Sequence, residues 1–323
     1  MTDMDVSIII VNWNSKDLLR QCLLSVQQHT HGLAYETIVV DSGSFDGVGE
    51  MLAREFPVVT FVQSESNVGF AVANNLGRKS ATGDLLLFLN PDTELLGNSV
   101  LEMAQHLGRF PGDGAVGVKL INVDGSLQDS CVQSFPTITN QLLSFDALRW
   151  RTRRLPLWGM SALHDASVES AAVDMVSGAC LMVSGQAFDN VGGFSDDYFM
   201  YAEDLDLCHK LHATGLRNTV LPRVKVLHFG GGSSNEAPSE FSAVMTRESM
   251  WRFFRKTRGS AYATGYRVSV VIAALVRVCL LFCMQPFWSH AQRRQRLALQ
   301  KWRAILGWAL KLIPTSTSRA SAS

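Results

Sequence analysis

No acidic residue follows Glu248 in this chain of 323 residues, although 29 Asp and Glu balance 29 Lys and Arg overall. Residues 249–323 hold 13 Lys and Arg and no carboxylate, so an acidic body precedes a wholly basic tail. The neutral total argues against a nucleic-acid binder. Six cysteines include no CxxC pair, which removes a zinc ribbon and a disulfide scaffold. They read as reduced, mostly buried thiols of a cytosolic protein. Nine prolines and 25 glycines are too few for collagen-like or low-complexity architecture. No GxxxxGK loop ending in Ser or Thr is present, which excludes P-loop phosphate binding. No GxGxxG follows the first apolar run; Asn12-Trp13-Asn14-Ser15 stands there, and a nicotinamide site loses its phosphate turn. GxSxG and HExxH are also missing. Asp3 and Asp5 sit where a secretory leader would be positive, so no leader is expected.

What is present begins as alternating strands and helices. Val6–Val11 is β-branched on both faces, as a central parallel strand requires. Leu18, Leu19, Cys22, Leu23 and Val26 recur at helical spacing. Thr37–Asp41, Val58–Val62 and Asp84–Asn90 read as further strands, with helices over Met51–Phe56 and Phe70–Ser80. This alternation predicts an α/β fold: an open, mainly parallel sheet with helices on both faces. Such sheets bind ligands at the carboxyl ends of their strands. Val116–Ile121 and Ser126–Gln128 flank an Asp124-Gly125 turn and predict a hairpin. Residues 130–170 lose periodicity and carry the Arg149–Arg154 cluster, a candidate acceptor-binding loop or a plain surface insertion. Asp174–Val183 reads as one strand, Glu203–Ala213 as a helix and Val224–Leu227 as a last strand.

Carboxylates stand at several of these strand ends. Asp41 is placed to accept hydrogen bonds from a base or ribose; alone it reads better as a helix cap or turn aspartate. Asn67-Val68-Gly69 opens a helix whose amides can meet a diphosphate. Asn90-Pro91-Asp92 follows an apolar strand; a carboxylate there can hold Mg or Mn, or simply make a turn. Glu203-Asp204-Leu205-Asp206 opens a helix, where acids suit the dipole and one can serve as a general base. His228 ends a strand before three glycines and is a candidate metal ligand.

Taken in order and spacing, these segments resemble glycosyltransferase family 2 enzymes of the GT-A fold, nearest their bacterial rhamnosyltransferase-like branch. The resemblance rests on Val6–Asn14, Val39–Ser44, Asn67–Ala71, Phe88–Asp92, Gly178–Leu181, Gly192–Phe194 and Phe199–Leu207. It implies a nucleotide-binding part over residues 1–120 and an acceptor and catalytic part over 121–238. It also implies that Val11, Asn12, Asp41, Asn67, Gly69, Asn75 and Asn90 line the donor nucleotide pocket. Asp92 corresponds to a metal-binding acid, His228 to an auxiliary ligand of Mg or Mn, and Asp204, with Glu203 beside it, to the general base. Asn90 stands where the family carries a first acid. The implied reaction is inverting transfer of a sugar, best matched by rhamnose, from a nucleotide diphosphate. The implied acceptor is a glycan or a polyprenyl-diphosphate-linked glycan of the cell envelope. A catalytically silent nucleotide-sugar-binding scaffold and a nucleotidyltransferase are the alternatives. The second would need a basic glycine-rich loop that Asn12–Asp17 does not supply.

The tail, residues 239–323, reads as helical and membrane-associating. Val268–Trp288 has one charge in 21 residues, Arg277. That charge argues for peripheral or monotopic attachment to anionic lipids of the inner membrane's cytoplasmic face over a full span. Residues 289–313 are amphipathic, with Leu299, Trp302, Ile305, Leu306, Ala309, Leu310 and Ile313 on one face, as for a helix lying in the interface.

Overall fold

The computed structural model describes residues 5–312 except 129, 144–151, 153–154, 156–157, 165–166, 231–239 and 284–291. Apart from Thr152, the Arg149–Arg154 cluster lies outside the described residues, as do Gly231, Gly232, the end of the Val268–Trp288 run and Ile313.

The chain forms two compact units. The first comprises residues 1–135, 149–199 and 203–233, and the second residues 136–148, 200–202 and 234–323. Unit one is α/β. Strands β1 (Val6–Asn12), β2 (Tyr35–Ser42), β3 (Thr60–Ser64) and β4 (Leu85–Leu89) alternate with α1 (Lys16–His29), α2 (Val48–Glu55) and α3 (Gly69–Ser80). β1 lies between β2 and β4, parallel to both, and all seven of its residues are buried. That position demands the run of Ile and Val on both faces. After β5 (Thr93–Leu95) and α4 (Ser99–Arg109) come β6 (Asp113–Ile121), β7 (Val132–Gln133), β8 (Ala171–Val173), β9 (Met175–Val176), β10 (Cys180–Ser184), α6 (Gly185–Asn190), α7 (Glu203–Ala213) and β11 (Arg217–His228). Unit two supplies α5 (Ile138–Leu143) between β7 and β8. The main sheet runs β3-β2-β1-β4-β10-β6-β11-β5, with β8 paired to β11, and β7 and β9 form a small ribbon.

Three expectations need correction. Asp174–Val183 is two strands, because the chain turns at Ser177–Ala179 between β9 and β10. β11 is much longer than Val224–Leu227: it starts at Arg217 and absorbs Pro222 where its register on β6 shifts between Leu221 and Lys225. A proline inside a strand is tolerated at such an irregularity, and it hid the first half of the strand. The hairpin after β6 is one bridge, Ile121 to Leu127, rather than a strand pair.

Unit two is helical, with α5, α8 (Glu240–Cys283) and α9 (Gln292–Ala309). α8 breaks at Gly259, whose φ of 84° and ψ of 171° are not helical. Arg267 stacks 5.4 Å over the Trp251 ring, and the Phe254 and Tyr266 rings lie 5.0 Å apart. In one straight helix Trp251 and Arg267 would be about 24 Å apart. The two halves of α8 therefore fold back on each other as a hairpin. Its second half has two faces. Tyr266, Val270 and Ala274 are buried, whereas Val268, Ile272, Leu275, Val276 and Leu280 are exposed. α9 does not present its apolar stripe outward: Ile305 and Trp308 are fully covered, and Trp308 meets Arg267 of α8 at 4.8 Å. The exposed greasy face belongs to α8.

Candidate functional site

Asn90 follows β4, and the turn Asn90-Pro91-Asp92 is closed by Thr93, whose hydroxyl donates to the Asn90 carbonyl at 2.7 Å. β5 starts there and pairs antiparallel with the end of β11, Thr93 opposite His228. This pairing brings together residues that the sequence separates widely. His228 Nε2 lies 3.2 Å from Asp92 Oδ1, with both side chains 16% exposed. The Asn90 amide nitrogen sits 3.4 Å from the same Nε2. Behind the ring, Gln128 Oε1 meets Nδ1 at 2.7 Å. Gln128 donates its own amide to Asn122 Oδ1 and to the His228 carbonyl, at 2.8 and 2.7 Å, which fixes the way the amide faces. A carbonyl oxygen only accepts, so Nδ1 carries a proton, and a metal-binding ring would present the Nε2 lone pair. A lone pair and a carboxylate oxygen 3.2 Å apart attract a cation between them. Cis ligands of an octahedral ion bound at 2.0–2.1 Å are about 3 Å apart, so the spacing fits Mg or Mn. Among the described residues no third His, Cys, Asp or Glu completes a cluster.

Asp204 and Glu203 open α7. The turn that splits β9 from β10 explains their placement: Gly178 N–H donates to Asp204 Oδ2 at 2.9 Å, and Leu205 N–H to Oδ1 at 2.8 Å. The next residue, Ala179, accepts from Asn90 N–H at 3.0 Å. Asn90 and Asp204 are thus anchored on neighbouring residues, and Asp204 belongs to the same end of the sheet as Asp92. A Cβ on Gly178 would meet Asp204 Cβ at 3.3 Å and the Phe70 ring at 3.5 Å, so a side chain there would crowd the acid. Burial pushes the Asp204 carboxyl above its ordinary range, against the two backbone amides that hold it down. Glu203 is buried, its Oε2 has no partner, and burial together with the Asp204 charge pushes it up to about 8. Asp206 is structural: it accepts from Ser195 Oγ at 2.6 Å and from the Tyr198 hydroxyl at 3.3 Å.

The residues assigned to a nucleotide fall into two groups. Val11, Asn12 and Asp41 end β1 and β2, with Asn12 paired to Asp41 in register. Asp41 is fully buried, and its oxygens are taken by Asn12 Nδ2 at 2.9 Å, Gln63 Nε2 at 2.7 Å and the backbone and hydroxyl of Ser44. It braces the strand ends, and Asn12 keeps a buried Oδ1 with no partner. Asn67 caps the turn into α3, its Oδ1 accepting from Gly69 N–H at 3.0 Å. Gly69 has φ +80°, and a Cβ there would lie 2.3 Å from the Phe199 carbonyl oxygen. Asn75 lies elsewhere: its amide donates to the Phe194 carbonyl at 2.8 Å and to Asp196 at 3.0 Å, and accepts from Phe194 N–H. Those bonds make it a clamp on the Gly193–Phe194 turn, not an open pocket group. Phe194 in turn packs on Phe88 and Phe188, ring centres 4.8 and 5.4 Å away.

Gln128, Gln63 and Ser44 were not legible as site residues. Gln128 follows the Asp124-Gly125 turn, and only that turn marked its neighbourhood.

Residues 7–161 match the family model described as glycosyl transferase family 2. The N-acetylglucosaminyl-diphospho-decaprenol L-rhamnosyltransferase of Mycobacterium tuberculosis is 27% identical over 255 residues, covering 76% of this chain and 82% of that protein. Rhamnosyltransferase WbbL of Escherichia coli is 24% identical over 231 residues, covering 69% and 83%. Among solved structures, the mannosyltransferase PcManGT of Pyrobaculum calidifontis, in complex with GDP-Man and Mn2+, superposes with a TM-score of 0.59 at 18% identity. That match covers 94% of this chain and 86% of the other. Over that segment the chain is similar to glycosyl transferase family 2, and its sheet is the GT-A fold.

Proposed function

We propose that the protein is an inverting, metal-assisted glycosyltransferase that moves a sugar from a nucleotide diphosphate to a lipid-linked glycan in envelope polysaccharide assembly. The observation that carries this reading is the convergence of Asp204, Asp92 and His228 at one end of the sheet. The rhamnosyltransferase relatives favour rhamnose, carried on deoxythymidine diphosphate before uridine diphosphate. The decaprenol-linked substrate named for the mycobacterial relative favours a polyprenyl-diphosphate acceptor.

The nucleotide rests over the ends of β1 and β2, where Asp41 holds Asn12 and Ser44 in place. Asp92 and His228 would hold a divalent cation, which supplies Lewis-acid stabilisation of the charge released on the departing diphosphate. Gln128 keeps the His228 proton on Nδ1, so that Nε2 is available. Asp204 accepts the proton of the acceptor hydroxyl while that oxygen attacks the anomeric carbon opposite the leaving group. The new glycosidic bond forms as the sugar–phosphate bond breaks, with the electron pair leaving on the diphosphate. Single displacement inverts the anomeric centre and uses no enzyme nucleophile. The raised Asp204 carboxyl matches a base that must hold a proton transiently.

The test is a thermal-shift panel of nucleoside diphosphates and their sugars with and without Mn, followed by transfer assays on the best donor. A stabilising donor shifts the folded population by mass action. Stabilisation that requires both nucleotide and metal, with transfer giving the inverted anomer, supports the reading. No stabilisation by any donor overturns it, and donor binding without transfer or hydrolysis points to a silent scaffold.

A further inference from the structure

Three residues of the helical unit run directly into the acids Glu203 and Asp204. The chain leaves unit one after Phe199, belongs to unit two over Met200–Ala202, and rejoins unit one at Glu203. Two carbonyls are held at the first of these crossings. That of Phe199 accepts from Phe70 N–H at 3.0 Å, and that of Met200 accepts from Ser249 Oγ of α8 at 2.9 Å. Ser249 is buried. Between these anchors and α7, Tyr201 and Ala202 both have positive φ, 69° and 67°. A left-handed backbone is strained for a residue with a Cβ, and it is visited mostly by Gly, Asn or Asp, one residue at a time. Two in succession persist only where the surroundings impose them.

The start of α7 has no local means of holding itself. Ala202 stands where a capping side chain would serve and has none to offer. Asp204 is the second residue of the helix, so a rotation of the turn carries its carboxylate along. Gly178 N–H can reach Asp204 Oδ2 only while the helix starts where the turn puts it. We propose that Ser249 is a positioning residue: its hydroxyl, through the Met200 carbonyl, holds the left-handed Tyr201–Ala202 turn that places Asp204 for proton transfer. The inference rests on the glycosyltransferase reading and adds to it a residue outside the α/β unit.

The test uses the full chain and measures kcat, donor affinity, Mn affinity and melting temperature. Ser249→Ala should lower kcat about tenfold or more, because a small misplacement of a reacting group is costly, with donor and Mn affinity unchanged. Ser249→Cys keeps the size with a weaker donor and should fall between; it carries the test if Ser249→Ala does not fold. Ala202→Gly should melt at or above the wild-type temperature, since glycine accepts positive φ. In Ala202→Gly/Ser249→Ala the turn needs less holding, and kcat should recover severalfold over Ser249→Ala. A merely structural contact would show no such recovery. Thr246→Ala removes another α8 hydroxyl, one bonded to the Ser242 carbonyl of its own helix, and should leave kcat unchanged. Amide hydrogen exchange over residues 200–205 needs no turnover and should speed up in Ser249→Ala. Unchanged exchange there overturns the inference whether or not the protein transfers sugar, whereas a wild type without transfer overturns the proposed function. Wild-type kcat in both Ser249→Ala and Ser249→Cys, no recovery in the double variant, or donor affinity falling as far as kcat would also overturn the inference.

Discussion

Asp204 and Gln128 are the residues on which single substitutions say most. Asp204→Asn keeps the shape and one of the two backbone hydrogen bonds, since its Nδ2 cannot accept, and it cannot take a proton. Turnover should fall by roughly 10²–10⁴-fold with donor affinity retained, measured by transfer kinetics beside nucleotide titration. Because burial raises the Asp204 carboxyl, the acid limb of kcat/KM should lie above the ordinary aspartate range, with activity lost as pH falls through it. Gln128→Met removes the acceptor at Nδ1 and frees His228 to place its proton on Nε2. Mn affinity should drop by about 10–100-fold with the nucleotide base still bound, as read by metal titration. Glu203 makes a stability prediction. Its carboxyl sits at about 8 when folded, above its unfolded value, so the native state binds the extra proton between those two values. Stability therefore declines as pH rises from about 4.5 toward 8. Glu203→Gln should remove that decline: its melting temperature should exceed wild type most near pH 8, and the gap should close on acidification.

At the scale of elements, glycines decide whether the site can assemble. Gly69 starts α3 at φ +80° with its Cα against the Phe199 carbonyl, a few residues before Asp204. Gly69→Ala adds about 1–2 kcal/mol of backbone strain and a clash that the backbone must relieve. The melting temperature should drop by several degrees, and residual folded protein should lose transfer more than wild type at the same temperature. The elements that patterning reveals are those with one simple environment. β1 and β4 are buried on both faces and read as apolar runs, broken in β1 only by Ser7 and its end at Asn12, and α7 was legible to its bounds. Asp92 and His228 stood out at strand ends and Asp204 at a helix start, and their roles came from the family resemblance. The hidden parts are those where tertiary contacts override local pattern. Pro222 disguises half of β11, and the Ser177–Ala179 turn lies inside an apolar run that alternates like one strand. Gln128 carries no charge and sits in a turn, so only the three-dimensional approach of His228 gives it a role. Asn75, which the resemblance placed in the donor pocket, spends its amide on the Phe194 backbone and Asp196.

The whole molecule joins an acidic catalytic body to a basic helical unit, and the structure changes the argument about Arg277. On an isolated apolar helix that charge would cost about 2.5–3.5 kcal/mol at a bilayer centre. Here it stacks on the Trp302 ring, and by helix spacing it lies roughly 100–140° round α8 from Val276 and Ile272. The charge is thus no obstacle to an apolar contact made by the other face, and a length of helix sufficient to cross a bilayer is not needed for attachment. Exposed isoleucine and leucine side chains that leave water contribute about 1.5–3 kcal/mol each. Basic residues near an anionic surface add about 1 kcal/mol each and are screened by salt. Attachment through this face should therefore be bimodal: anionic vesicles recruit the protein, salt weakens that recruitment, and an apolar contribution remains. Ile272→Glu/Val276→Glu should reduce vesicle co-sedimentation at least tenfold at high salt, where the charge contribution is small. Transfer to a water-soluble acceptor should stay at the wild-type rate, because neither residue belongs to the α/β unit that holds Asp92 and Asp204. Unchanged sedimentation of the double variant would show that the exposed face of α8 is not what meets the lipid.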